Sequence, residues 1–322
     1  MIKYELMIQH GDTLYFPPVV DGVAVEWERK GQPGKLSFEV IKTDALLFDE
    51  GDACRFSVDG KVVFYGFVFE KSRKGSLAEK IKVVVHDQLY YLKNKDTYVY
   101  TNKTAAEVVK MIAEDFGLNA GTIEDTGYKI ASRTEENAQL FDIIQTALDE
   151  TMKATGEMFV LYDAAGKLTL QNVGNMQLGL VIDKDTAGDF DYKTSITSNT
   201  YNRIKLVHED DKAGGRKVYI AQDSANINRW GVLQYYEKLN NAAGAQAMAD
   251  ALLKLYDRKT RTLSVKNALG DIRVRGGTML VVVLDLGDTQ ISNFMLVEQV
   301  KHSFKDNEHL MELRLRGNDF VT

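Results

Sequence analysis

Six short runs within the first ninety residues, 3–9, 23–29, 36–42, 53–58, 62–70 and 80–86, are rich in Val, Ile, Phe and Tyr. Turn signals punctuate them: Gly31-Gln32-Pro33-Gly34, Glu50-Gly51-Asp52, Asp59-Gly60 and Lys74-Gly75-Ser76. Such runs are too short for buried helices and carry the residue types that suit a pleated surface. Asp59-Gly60 between two apolar runs is the strongest of these signals. A two-residue hairpin needs positive φ at its centre, and Asp-Gly supplies it with least strain. Six strands joined by tight turns predict a small antiparallel barrel or sandwich.

The period changes near residue 100. Thr104-Ala105-Ala106-Glu107 reads as a capping box, and Val108, Val109, Ile112, Ala113 and Phe116 follow at helical spacing up to Gly117. A second helix is predicted over 137–154, then a hairpin of 158–162 and 167–171 across Asp163-Ala164-Ala165-Gly166. From about Asp189 the chain returns to β, with runs at 202–209, 216–222 and 232–238. A helix is predicted over 241–257, with Asn241 as N-cap and Met248, Leu252, Leu255 and Tyr256 on its buried side. Further strands are predicted at 262–265, 279–284, 294–302 and 310–315.

The two β regions echo each other. Glu50-Gly51-Asp52, a strand, Asp59-Gly60 and a long strand from Phe64 are matched by Arg275-Gly276-Gly277, a strand, Leu286-Gly287-Asp288 and a long strand from Phe294. The last strand of each set ends at His86-Asp87 and near Asn318-Asp319. The predicted fold class is therefore mainly β with an α+β insert. It comprises two small antiparallel β-barrel domains, 1–95 and 183–322, around a helix-containing module at 96–182.

Several function classes lose support at once. Acid exceeds base, net charge -6, and the basic residues are dispersed, whereas non-specific nucleic-acid binding needs clustered Lys and Arg. Residues 62–69 form the longest apolar stretch and contain Gly66, far short of the roughly 20 residues of a membrane span. Residues 1–10 carry Glu5 and no apolar core, so no signal peptide is read there. One cysteine, Cys54, permits no intrachain disulfide and reads as a small buried apolar residue.

No catalytic, cofactor-binding or metal-ligating residue is read from the sequence. His10, His86, His208, His302 and His309 form no HExxH or HxH arrangement. His86, His208 and His302 fall near strand ends and read as solvated. The acidic run from Asp183 to Asp191 fails as a calcium loop at Ala187 and Thr194 and reads as a polar connection. Gly31 to Leu36 lacks the glycine spacing of a phosphate loop. Glu135-Glu136 and Asp149-Glu150 could be imagined as a glycosidase pair, but neighbours on a helix point apart. The expectation is a non-enzymatic protein.

The runs Gly34-Lys-Leu-Ser-Phe-Glu-Val-Ile-Lys42, Leu47-Phe-Asp-Glu-Gly-Asp52 and Val63-Phe-Tyr-Gly-Phe-Val68 resemble the XkdQ/YqbQ family of Gram-positive prophages and phage-tail-like bacteriocins. So do Thr104-Ala-Ala-Glu-Val-Val109, Asn199-Thr-Tyr-Asn-Arg203 and Gly276-Gly277 before a hydrophobic strand. The resemblance covers essentially the whole chain and rests on the order of turn-and-strand patterns. That family is similar to late control protein D and to the hub proteins of contractile tails. It implies a homotrimer around the tail axis, two barrels per chain, with tail tube, spike, tape-measure and other baseplate proteins as partners. It implies a place in the baseplate of the virion or phage-tail-like particle. The dispersed charge and the missing ligand sets lead to the expectation of no specific nucleic acid and no cofactor, and the single cysteine fits assembly in the reducing bacterial cytoplasm. The alternative is a peptidoglycan-binding or peptidoglycan-hydrolysing tail-associated protein, since the strand-helix-helix-strand order over 98–162 loosely resembles LysM units.

Overall fold

The computed structural model describes residues 2–73, 75, 79–210, 215–239, 242–285 and 290–317. The chain opens with seven strands: β1 (Tyr4–His10), β2 (Thr13–Tyr15), β3 (Val19–Glu28), β4 (Lys35–Ile41), β5 (Ala53–Val58), β6 (Lys61–Ser72) and β7 (Lys80–His86). A 3-10 turn, Gln88–Lys93, leads into β8 (Lys95–Thr104), α1 (Ala105–Asp115), β9 (Ala120–Ile123), β10 (Lys129–Gln139) and α2 (Leu140–Thr155). Then come β11 (Phe159–Asp163), β12 (Leu168–Asn172), β13 (Gln177–Ile182) and β14 (Asp189–Ser195). A second mixed segment holds β15 (Arg203–Asp210), β16 (Gly215–Gln222), α3 (Ser224–Trp230), β17 (Gln234–Leu239) and α4 (Ala245–Tyr256). The chain closes with β18 (Thr260–Leu269), β19 (Met279–Asp285), β20 (Gln290–Lys305) and β21 (Glu308–Gly317).

The protein is mainly β, as the strand runs predict. Period-two burial explains the strands: Val23, Val25 and Trp27 of β3, Leu36, Phe38 and Val40 of β4, and Ile81, Val83 and Val85 of β7 all point inward. Asp59 and Gly60 form the two-residue turn between β5 and β6 with φ of 47° and 77°, the positive pair of a type I′ hairpin. At α1 both halves of the capping box are made. Glu107 N–H donates to Thr104 Oγ1 at 3.2 Å, and Thr104 N–H donates to Glu107 Oε2 at 2.7 Å.

Thirteen strands share one sheet. Its first half runs β3-β4-β7-β6-β5-β1 and its second β14-β18-β21-β20-β19-β13. The order repeats, and in each half the first five strands are mutually antiparallel. The sixth differs, because β1 runs antiparallel to β5 while β13 runs parallel to β19.

The likeness reaches single hydrogen bonds. Gly51 N–H donates to Val68 O and Gly277 N–H to Val297 O, both at 2.8 Å. Val68 N–H returns to Asp52 O at 2.9 Å, and Val297 N–H to Thr278 O at 2.8 Å. The two glycines have φ of 97° and 95°, a backbone state that side chains with a Cβ avoid. Each long strand then carries a one-residue bulge, at Phe69 in β6 and at Glu298 in β20. The turn resemblance seen in the sequence is thus a real repeat, displaced by one residue: Gly51 corresponds to Gly277 rather than Gly276, and Asp49 to Asp52 match Arg275 to Thr278.

The halves are not separate bodies. β20 pairs with β3 from Gln299↔Glu28 to Phe304↔Val23, and residues of both halves, from Leu6 to Leu315, form one continuous core. The β regions expected at 1–95 and 183–322 are therefore joined by backbone pairing as two like halves of one sheet.

Two modules stand beside this sheet. The first has its own core of Leu89, Leu92, α1, α2 and strands β9, β11 and β12. It begins at the 3-10 turn, before the expected residue 96. β13, expected within it, belongs to the main sheet. The second, absent from the sequence reading as a separate unit, packs α4 on the sheet β16-β15-β17 between β14 and β18. Helix α4 starts at Ala245 after Gly244; Asn241 lies outside the described residues, as do the turns at Leu286-Gly287-Asp288, Lys74 and Ser76, and the segment Asn318-Asp319.

Candidate functional site: the joint between the sheet halves

The joint is the place where this chain concentrates buried charge. Arg29 directly follows β3 and donates its backbone N–H to Glu298 O at 2.8 Å. Its Nε meets Glu298 Oε2 at 2.8 Å, and Arg316 Nε of β21 meets Glu298 Oε1 at 2.9 Å. The bulge places Glu298 between both guanidinium groups. Burial alone would raise its carboxyl, but Arg29 and Arg316 outweigh burial and hold it below the ordinary range. Removing either partner of such a pair would strand a charge away from water.

A second polar group locks the first module to the joint. Arg275 lies over the rings of Trp27 and Tyr162, 5.0 and 4.2 Å from their centroids, and donates to Asp163 O at 3.1 Å. Asp163 accepts from Gln88 Nε2 at 2.7 Å and Gly166 N–H at 2.6 Å. Asp87 accepts from Gly34 N–H at 2.9 Å and Leu89 N–H at 3.1 Å. Burial raises both carboxyls, and Asp163 raises Asp87 further. The two resemble an acid pair by pKa alone. Their oxygens, however, are taken by backbone and amide donors, an arrangement that holds a loop in place.

The histidines distribute differently from their expected solvated positions. His302 is fully buried and its Nδ1 lies 2.8 Å from His309 Nε2, while its Nε2 lies 2.9 Å from Val274 O. A carbonyl only accepts, so His302 carries its proton on Nε2. His309 then donates Nε2–H to His302 Nδ1. Burial, and then His309, push His302 down to about 3; burial pushes His309 down to about 4, against Asp271. The parity of His302 with Val300 and Phe304 was the sequence signal for its burial. Gly270 makes room for the His309 ring, which a Cβ there would overlap. His302 also meets Trp27 edge-on at 5.3 Å, and His309 stacks on Phe304 at 4.1 Å, so the pair is part of the aromatic packing across the joint.

The remaining candidates are held in local contacts. His10 Nδ1 contacts Asp52 at 2.8 Å, His86 Nδ1 contacts Gly34 O at 3.1 Å and His208 Nδ1 contacts Leu239 O at 3.0 Å. Glu135, on β10 rather than beside a helix, and Glu150 of α2 both bind the guanidinium of Arg133 at 2.8 Å. Asp183 accepts from the N–H groups of Asp185 and Thr186 at 3.0 and 2.9 Å, forming a turn. Cys54 is buried, which pushes its thiol up and away from the thiolate. Among the described residues no group of three His, Cys, Asp or Glu is placed to hold a metal ion, and no helix is long and apolar enough to cross a membrane. A cleft of about 510 Å³ lies between both modules and the joint, with Arg29, Lys153, Glu237, Tyr256 and Arg316 among its walls. Lys153 and Glu237 close across it at 2.8 Å. These contacts can fasten parts together; they present no nucleophile aligned with a base.

The chain is 30% identical to the uncharacterized protein YqbQ of Bacillus subtilis over 314 residues, covering 94% of this chain and 93% of that one. It is 31% identical to the phage-like element PBSX protein XkdQ of the same organism over 321 residues, covering 94% of each. Its fold is that of the 43 kDa tail protein of prophage MuSo2 from Shewanella oneidensis, with a TM-score of 0.72 at 16% identity over 99% of this chain and 100% of that one. The YQBQ-like family profile matches residues 23–316, so this chain, with its repeated sheet and the joint that unites the halves, belongs to the YQBQ-like family.

Proposed function

We propose that this chain is a non-enzymatic baseplate hub subunit, joining the tail tube to the central spike of a contractile phage tail or phage-tail-like particle. The observation that carries the reading is the repeated strand order β3-β4-β7-β6-β5-β1 and β14-β18-β21-β20-β19-β13 within one chain. Three such chains present six like units around an axis while keeping threefold symmetry. A sixfold tube can then meet a threefold spike through closed, matching interfaces. Membership of the YQBQ-like family and the name of the PBSX relative support a tail particle as its setting. The buried polar groups serve cohesion in this reading. Tube, spike and tape-measure proteins are its partners, and it needs no cofactor.

The test is the position and number of copies in an assembled particle. Native mass measurement of the concentrated protein, alone or with its spike partner, should give a species of about 109 kDa from three 36.2 kDa chains. Imaging of the particle should place it on the tail axis. Density for this chain away from that axis would overturn the proposal. Measurable turnover of purified cell wall by the folded protein would replace it with the hydrolase reading.

A further inference from the structure

The internal joint has a vacant counterpart. In the second half, the end of β20 has β21 on one side and β3 on the other. In the first half, the matching end of β6, Glu70 to Ser72, has β7 on one side. No strand pairs with its other side among the described residues. The counterpart of β3 is β14, since Val25↔Leu36 and Tyr192↔Leu263 occupy the same place beside Leu36 and Leu263. Among the described residues β14 pairs only with β18 and leaves its outer edge bare. Among the described residues one chain therefore carries both an unused donor strand and an unused acceptor edge, and they are the repeats of two strands already joined within it.

We infer that β14 of one chain adds to the Glu70–Arg73 edge of β6 in a second copy, repeating between chains the joint that β3 and β20 make within one. The inference rests on the trimer reading above and names the surfaces that would close it. Carrying the register of β3 on β20 across the repeat gives Glu70↔Ser195, Lys71↔Thr194, Ser72↔Lys193 and Arg73↔Tyr192. Lys193 then lies diagonally across from Glu70 on one face, a favourable pairing of opposite charges. The contact is head-to-tail, the type that closes into a ring when its rotation allows.

Two details fit a bare edge awaiting a partner strand. Arg29 donates its backbone N–H to Glu298 O, so by alternation Val23, the counterpart of Phe190, points its N–H at β20. In β14 the N–H of Phe190 is covered by the Asp189 carboxylate at 2.9 Å. A charged cap over an edge N–H is a usual means of keeping an unpaired strand from promiscuous association. The second detail is a difference. Gly276 lets the end of β3 approach so closely that a Cβ there would overlap Arg29 and Glu28 backbone. Its counterpart is Glu50, which is exposed. A joint between chains is thus looser at that corner than the one within the chain, as suits subunits that fold first and assemble later.

Cysteines at Ser72 and Lys193 test the register. The pair corresponds to Lys301↔Glu26, which alternation from Arg29 makes a narrow, non-hydrogen-bonded pair suited to a disulfide. The native Cys54 is buried and stays out of the exchange. Concentrated S72C/K193C protein, oxidised mildly and run without reductant, should give a ladder of two and three linked chains. Its yield should be at least about tenfold that of S72C/K217C, which tests another edge strand, with unchanged thermal unfolding in both. A trimer by native mass with no preferential cross-link overturns the strand pairing and leaves the trimer standing. Absence of both trimer and cross-link overturns both. A ladder continuing past three chains supports the pairing and overturns the closed three-chain ring.

Discussion

The two halves of the sheet share hydrogen bonds more faithfully than side chains. At the bulge of the long strand, the first half has Phe69, packed with His86 and Tyr90 at 5.5 and 4.1 Å. The second half has Glu298, clamped by Arg29 and Arg316. Between the first two strands, the first half has the turn around Gly31 and Gly34, while the second has the whole α4 module. The backbone ladder nevertheless keeps one order. Strand order depends on pairing every buried N–H and C=O, which any residue except proline can do. The side chains at the bulge are released for other duties. In the second half that duty is the joint.

The comparison can be broken most strongly by acid. The His302–His309 pair lies in the second half, with the folded-state values lowered to about 3 and about 4. An unfolded histidine binds its proton near 6.5. The unfolded state therefore holds more protons between these values, so stability is full above about pH 6.5 and falls as pH drops through the window. By pH 5 the expected loss is about 2 kcal/mol for each histidine. Urea unfolding at pH 7 and pH 5 measures it, and a His302→Phe/His309→Phe double variant should show a flatter pH profile. An equal loss in that variant would assign the acid response elsewhere.

A second experiment uses the unequal corners of the repeat. Gly276→Val should destabilise by about 3 kcal/mol, because the new side chain meets β3 backbone that cannot yield. The counterpart Glu50→Val, at an exposed site, should stay within about 0.5 kcal/mol. Equal losses measured by chemical denaturation would mean that the two corners are alike and that the intrachain joint is not specially packed.

The smallest effect concerns a turn whose loss should leave the joint in place. Gly60→Val puts a β-branched residue at φ 77° and should cost roughly 1–3 kcal/mol. The helical module, with its separate core, should keep its hydrogen-exchange protection while β5 and β6 lose theirs. An unchanged melting temperature would contradict the strain assigned to this hairpin.

Much of the fold was legible because its signals are local. The alternation in β3, β4 and β7, the Asp59-Gly60 turn and the Thr104–Glu107 capping box each follow from side-chain period or from one to four neighbouring residues. Strand β10 has no counterpart among the predicted elements: its one buried residue, Ile130, sits among exposed Lys, Ser, Thr and Glu, so the alternation is faint. The joint was not legible. Arg29 and Glu298 are 269 residues apart, and neither has a neighbour in sequence that betrays its partner.

What the sequence by itself determined was the set of pieces: short strands, three module helices, the glycine turns and the hint that one arrangement occurs twice. Period, capping and positive φ are properties of a few adjacent residues and need no distant partner. What only the tertiary structure decided was how the pieces combine: that β20 seeks β3, that β13 leaves its module for the main sheet, and that His302 is enclosed rather than wet. Those outcomes depend on which remote strand closes a backbone edge and which remote side chain neutralises a buried charge. Such pairings are chosen by the whole core at once, because leaving a buried donor or charge without its partner costs more than any local preference can return.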